Sequence, residues 1–130
     1  MNQDNRPFMK DLLPLILYGV FLFAVFNFPR KIQDEKINRF HLDKIAHALL
    51  FIPLPALLIQ FIRRRKPATS RLLCAFIALL FATGCAFTTE FQQKINPYRT
   101  FDEYDIVADV VGAVIGLVLY FSFFYPKPKK

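Results

Sequence analysis

Four apolar stretches, Leu12–Phe28, Ile45–Ile62, Leu72–Thr89 and Ile106–Tyr125, fill most of a 130-residue chain. Each approaches the roughly 20 residues that a helix needs to cross a bilayer. Backbone polar groups in lipid have to be satisfied within the segment, so runs of this kind are expected as helices. A soluble four-helix bundle is the competing arrangement. It is disfavoured because no segment shows a polar face at helical period, and a helix apolar all round belongs in lipid or in a large core. A chain of this length has no such core to offer. The 55% apolar content, with sixteen Phe and no Trp, lies above the ordinary soluble range and agrees. The expected fold is therefore all-α: a four-helix transmembrane bundle forming a single domain over residues 1–130, with helices at about 12–28, 45–62, 72–91 and 106–125.

The first stretch reads as a retained helix. Its apolar run is long for a cleaved signal, and Ala24-Val25-Phe26-Asn27-Phe28 lacks small residues at a cleavage spacing. Pro53 and Pro55 fall mid-helix, where each removes a backbone hydrogen bond and should kink or break the second span. Cys74 and Cys85 lie about 16 Å apart along one helix, too far for a bridge. They read as small apolar fillers, and no zinc spacing or disulfide framework is present.

Charge sets the expected orientation. The N-terminus, the middle loop and the C-terminal tail hold Arg6, Lys10, Arg63, Arg64, Arg65, Lys66, Arg71, Lys127, Lys129 and Lys130 against Asp4 and Asp11. The other side nearly balances, with Arg30, Lys31, Lys36, Arg39, Lys44, Lys94 and Arg99 facing eight acidic residues. Excess Lys and Arg mark the cytoplasmic side, so a multi-pass protein of the plasma or inner membrane is expected, with both termini cytoplasmic. The Arg-Arg-Arg-Lys run lacks interleaved aromatics and follows a spanning helix. It fits orientation and attraction to anionic membrane lipid, not nucleic acid.

The candidate site lies at the other side. Asp43-Lys44-Ile45-Ala46-His47 opens the second span, where Asp43 suits the helix cap and His47 lies one turn deeper on the same face. Glu90 and Gln93 share a face near the end of the third span. Asp105 and Asp109 share one at the start of the fourth, which continues into Gly112 and Gly116. The two glycines form a small-xxx-small pattern that permits close helix packing. At about 1.5 Å of rise per residue, His47, Glu90 and Asp109 each lie about 6 Å inside the apolar zone. Arg99 sits in the loop above, where its forked donors suit a carboxylate or phosphate. The openings Asp-x-x-Ala-His and Asp-x-x-Ala-Asp also resemble one another, as two parallel-related helical hairpins would.

In order, Asp43-Lys44 with His47, Glu90-x-x-Gln93, Pro97-x-Arg99, and Asp105 followed by Asp109, Gly112 and Gly116 resemble the VanZ-like family, whose namesake is linked to teicoplanin resistance. In that family the order runs Asp-Lys-x-x-His, Glu-x-x-Gln, Pro-x-Arg and Asp-x-x-x-Asn-x-x-Gly-x-x-x-Gly. The likeness covers residues 43–116, and the first helix joins by position. Asp109 stands where the family usually has Asn, which adds an ionisable group. The resemblance implies a small integral membrane protein of the cell envelope in an antibiotic-resistance setting, and it carries no reaction with it.

Three readings of the cluster stay open. Asp43, Lys44, His47, Glu90, Gln93, Arg99, Asp105 and Asp109 can engage an amphiphile of the envelope: a lipid head group, a lipid-linked cell-wall precursor or a lipoglycopeptide. Tyr98, Phe101 and Tyr104 suit the interface level for such a ligand. The cluster can instead serve only to fasten the helices, since charges near lipid need partners. Catalysis is the third reading, with His47, Glu90, Asp105 and Asp109 around a divalent metal or passing protons. It ranks last: no His-Glu-x-x-His spacing and no Gly-x-Ser-x-Gly elbow occur, so neither metal nor cofactor is expected.

Overall fold

The computed structural model describes residues 7–27, 36–97 and 101–126, with the backbone alone for 36–41. Among the described residues five α-helices follow one another: α1 Phe8–Asn27, α2 Lys36–Phe51, α3 Pro53–Arg65, α4 Arg71–Ile95 and α5 Glu103–Leu119. A π-helical turn, Tyr120–Phe124, ends α5. Helices α2 and α3 together make one span, and among the described residues four segments are long and apolar enough to cross a membrane: Phe8–Asn27, Leu42–Arg65, Arg71–Ile95 and Glu103–Phe124. No strand occurs among the described residues.

The second span breaks where its prolines demand it. Ile52 keeps helical dihedrals, yet Pro53 and Pro55 bring no N–H to the ladder, and α2 gives way to α3 there. Helix α1 braces the break, since the Tyr18 hydroxyl donates to the Leu50 carbonyl at 2.6 Å. One expectation needs correcting. Helix α2 begins at Lys36, so Asp43 lies inside the helix and is not its cap.

Phe26, Phe51, Leu54 and Ile59 fill the core from α1, α2 and α3, whereas α4 turns its large apolar side chains outward and its small ones inward. Leu72, Phe123, Phe124 and Ile95 are among the most exposed residues, whereas Ala78, Ala82, Ala86 and Ala113 are fully buried. Lipid gives no hydrophobic reward for hiding large side chains, so close backbone approach through small residues is the productive way to pack. On α4 the buried stripe runs Cys74, Ala78, Ala82, Ala86, then Thr89, Glu90 and Gln93. On α5 it runs Asp105, Asp109, Gly112, Ala113, Gly116 and Leu117. Both stripes are polar at the same end of the bundle, because α4 runs opposite to α5. There the end of α1, the middle of α2, the end of α4 and the start of α5 meet.

Helices α2 and α5 lie side by side and parallel, in very close contact. A Cβ built on Gly112 would come within 2.8 Å of Ala48 Cα, and one on Gly116 within 3.1 Å of Ile52 Cα. The opposite end is basic and aromatic. Arg63 donates to the Tyr125 hydroxyl at 2.7 Å and stacks on its ring, while Arg71 lies over Phe121. Buried Asp11 of α1 faces Arg64 and Arg65, each at 3.7 Å.

Candidate polar site at the α2–α4–α5 junction

The glycine seam sets the register of the site. With Gly112 against Ala48, His47, the residue just before Ala48, comes opposite Asp109, which lies three residues before Gly112. Asp109 Oδ1 lies 2.9 Å from His47 Nδ1, and both residues are buried. Asp105 Oδ2 lies 3.6 Å from His47 Nε2. Lys44, one turn earlier on α2, donates to Asp105 Oδ1 and to Asp102 Oδ2. The two segments that open with Asp-x-x-Ala thus face each other, basic groups on α2 against carboxylates on α5.

Helix α4 supplies a different chemistry. Glu90 Oε2 accepts the Asp102 backbone N–H at 3.2 Å, tying the end of α4 to the start of α5. Among the described residues, Glu90 Oε1 and Gln93 Nε2 have no hydrogen-bond partner, although Glu90 is 0% and Gln93 2% exposed. His47 Nε2 and Asp109 Oδ2 are likewise unpartnered and buried. Burying such atoms costs about 1–3 kcal/mol each, more where charged. Their presence at one end of the bundle therefore asks for a reason.

Helix α1 closes the fourth side. The Phe26 ring lies 4.7 Å from the imidazole of His47, and Asn27 reaches Gln92 Oε1 at 3.4 Å.

Of the residues singled out from sequence, Asp43, Lys44, His47, Glu90, Gln93, Asp105 and Asp109 all lie at this one end. Asp43 and Lys44 are half-buried; the other five are buried. Phe101 and Tyr104 are exposed there. Arg99 and Tyr98 lie outside the described residues. Three residues escaped the sequence reading. Phe26 carried no signal beyond its place near a span end. Thr89 looked like any small residue in an apolar run. Asp102 did carry one: an Asp three residues before another acid, ahead of an apolar run, is a helix-start pattern. It is the cap of α5, accepting the Tyr104 N–H at 2.9 Å.

Asp102 lies just outside the span, and its titration follows from its neighbours. Burial works to raise its carboxyl, but the Lys44 ammonium and the Tyr104 N–H outweigh that and hold it below its ordinary value. Its contribution to stability is thus complete above the usual carboxylate range and is lost as pH falls through the lowered value. Asp102→Asn should flatten the acid limb of a melting-temperature profile taken from about pH 7 to about pH 3. An unchanged acid limb would separate Asp102 from the acid sensitivity of the fold.

A family model described as VanZ/LLP1 matches residues 4–125. No curated protein and no solved structure matches the chain.

Proposed function

The chain belongs to the VanZ/LLP1 family of membrane proteins, and from that membership and the buried polar junction we propose that it binds or shields an amphiphile of the cell envelope. The ligand class is a lipid head group, a lipid-linked cell-wall precursor or a lipoglycopeptide. The protein resides in the cytoplasmic membrane with both termini inside and the polar junction near the outer surface. Support for that orientation comes from Arg63, Arg64, Arg65, Lys66 and Arg71, which lie at the opposite end of the bundle from the junction.

One observation carries the reading. Glu90 Oε1 and Gln93 Nε2 sit three residues apart on the inner face of α4, one an acceptor and one a donor, buried and unpartnered among the described residues. A group that only fastened helices would satisfy both. A head group bearing hydroxyl, amide or amine functions would meet both at once, with Tyr104 and Phe101 flanking its apolar part.

Gln93→Leu separates binding from fastening. It removes a buried unpaired amide, so thermal stability in micelles should hold or rise, by up to about 1–2 kcal/mol. Ligand binding, and protection of a susceptible host against a lipoglycopeptide, should fall about tenfold or more at equal membrane abundance. Arg99→Ala should likewise abolish binding without changing abundance. If abundance and protection decline together in both variants, the cluster is a fastener and the proposal fails.

A further inference from the structure

We propose that Asp43, His47 and Asp105 bind a first-row divalent cation, with Asp109 orienting the imidazole. Each of the three offers one ligand atom, and these atoms all lie within 4.8 Å of one another. That alone is only a cluster. The state of His47 adds an independent argument: the residue is 2% exposed, and its Nε2 has no hydrogen-bond partner among the described residues.

The geometry between Nε2 and Asp105 Oδ2 fits two ligands of one ion better than it fits a direct bond. At 3.6 Å the pair is too far apart to hydrogen-bond. With metal–ligand bonds of about 2.0–2.2 Å, the same separation subtends roughly 110–130° at the ion, near the tetrahedral angle. On the far side of the ring, Asp109 Oδ1 lies 2.9 Å from Nδ1. A carboxylate there holds the proton on Nδ1 and leaves the Nε2 lone pair facing Asp105, the arrangement that metal-bound histidines show in their outer shell. Phe26 against the ring face limits its rotation.

Charge points the same way. The junction gathers the carboxyl groups of Asp43, Glu90, Asp102, Asp105 and Asp109, and Lys44 and, when protonated, His47 are among the cations that face them. Lys44 engages Asp105 through Oδ1, which leaves Oδ2 turned toward His47. Clustered carboxylates at the edge of an apolar zone are costly, and a divalent ion offsets that cost. One imidazole with two carboxylates favours Zn2+ or Mn2+ over Mg2+ and Ca2+, which prefer all-oxygen sets. Three protein ligands also leave positions open for water or a ligand oxygen. No short metal motif signals this site in the sequence, because its ligands come from two helices that meet only through the glycine seam.

The site stands independently of the amphiphile reading, and so does its test. Tag-free protein in micelles, stripped with chelator, is titrated with Zn2+ and separately with Mn2+, following bound metal by elemental analysis and by paramagnetic resonance for Mn2+. Wild type should retain one ion per chain and melt at a higher temperature with it. Asp43→Asn, at a half-buried position, and His47→Gln should each weaken binding about tenfold or more, with helical content by circular dichroism unchanged in at least Asp43→Asn. Wild-type protein that holds neither ion, or equal affinity in wild type and Asp43→Asn, overturns the proposal.

Discussion

Gly112→Ala should unseat α5 from α2 and destabilise the bundle by about 1–3 kcal/mol, or more because the obstacle is backbone. The new Cβ would meet the Ala48 carbonyl, with Ala48 C at 2.7 Å and Cα at 2.8 Å, and none of these atoms can rotate away. Gly116→Ala meets the Ile52 carbonyl in the same way, one turn on. The double variant should not yield a folded bundle. Gly19 and Gly84 provide the control, since a Cβ at either finds nothing within 4 Å. Alanine there gains up to about 1 kcal/mol of helix propensity, so the sign of a Gly→Ala change inverts between the two pairs. Thermal denaturation in micelles, followed by gel filtration, reads this directly. If Gly112→Ala melts with the wild type, the α2–α5 approach is wrong, and with it the alignment of His47 with Asp109.

Asp109→Leu carries the second large effect. It leaves the His47 ring buried with its Nδ1 unpartnered, and breaking one half of a buried pair costs about 3–5 kcal/mol. Asp109→Asn keeps an acceptor at the same place and should cost much less, which agrees with the amide that the family commonly carries there. Replacing both partners, His47→Leu with Asp109→Leu, should recover much of the loss, because neither polar group is then stranded. A double-mutant cycle from denaturant midpoints measures the coupling. Additive effects of the two single changes would mean that the residues do not act as a pair.

The fold is largely legible in the amino-acid sequence. Hydropathy alone located four spans, and Pro53 with Pro55 located the break in the second. Boundaries were less accessible. Helix α2 starts well before its apolar part, at Lys36, because helix formation does not require an apolar residue. The edge of apolarity is not the edge of the helix: it makes Asp43 look like a cap, and it hides Asp102, the cap of α5, which lies before the apolar run.

Within each helix, residues three and four apart share a face whatever surrounds them, so the Asp43–His47, Glu90–Gln93 and Asp105–Asp109 pairings could be read from spacing. Which partner each face meets is a different kind of question. Spacing allowed Asp109 to face either neighbouring helix, and it said nothing of Lys44 bridging Asp102 and Asp105, or of Phe26 lying on His47. Those contacts depend on how far one helix slides and turns against another. Here that is set by two glycines whose missing side chains admit the Ala48 and Ile52 backbone, a steric fit that exists only once the helices are assembled.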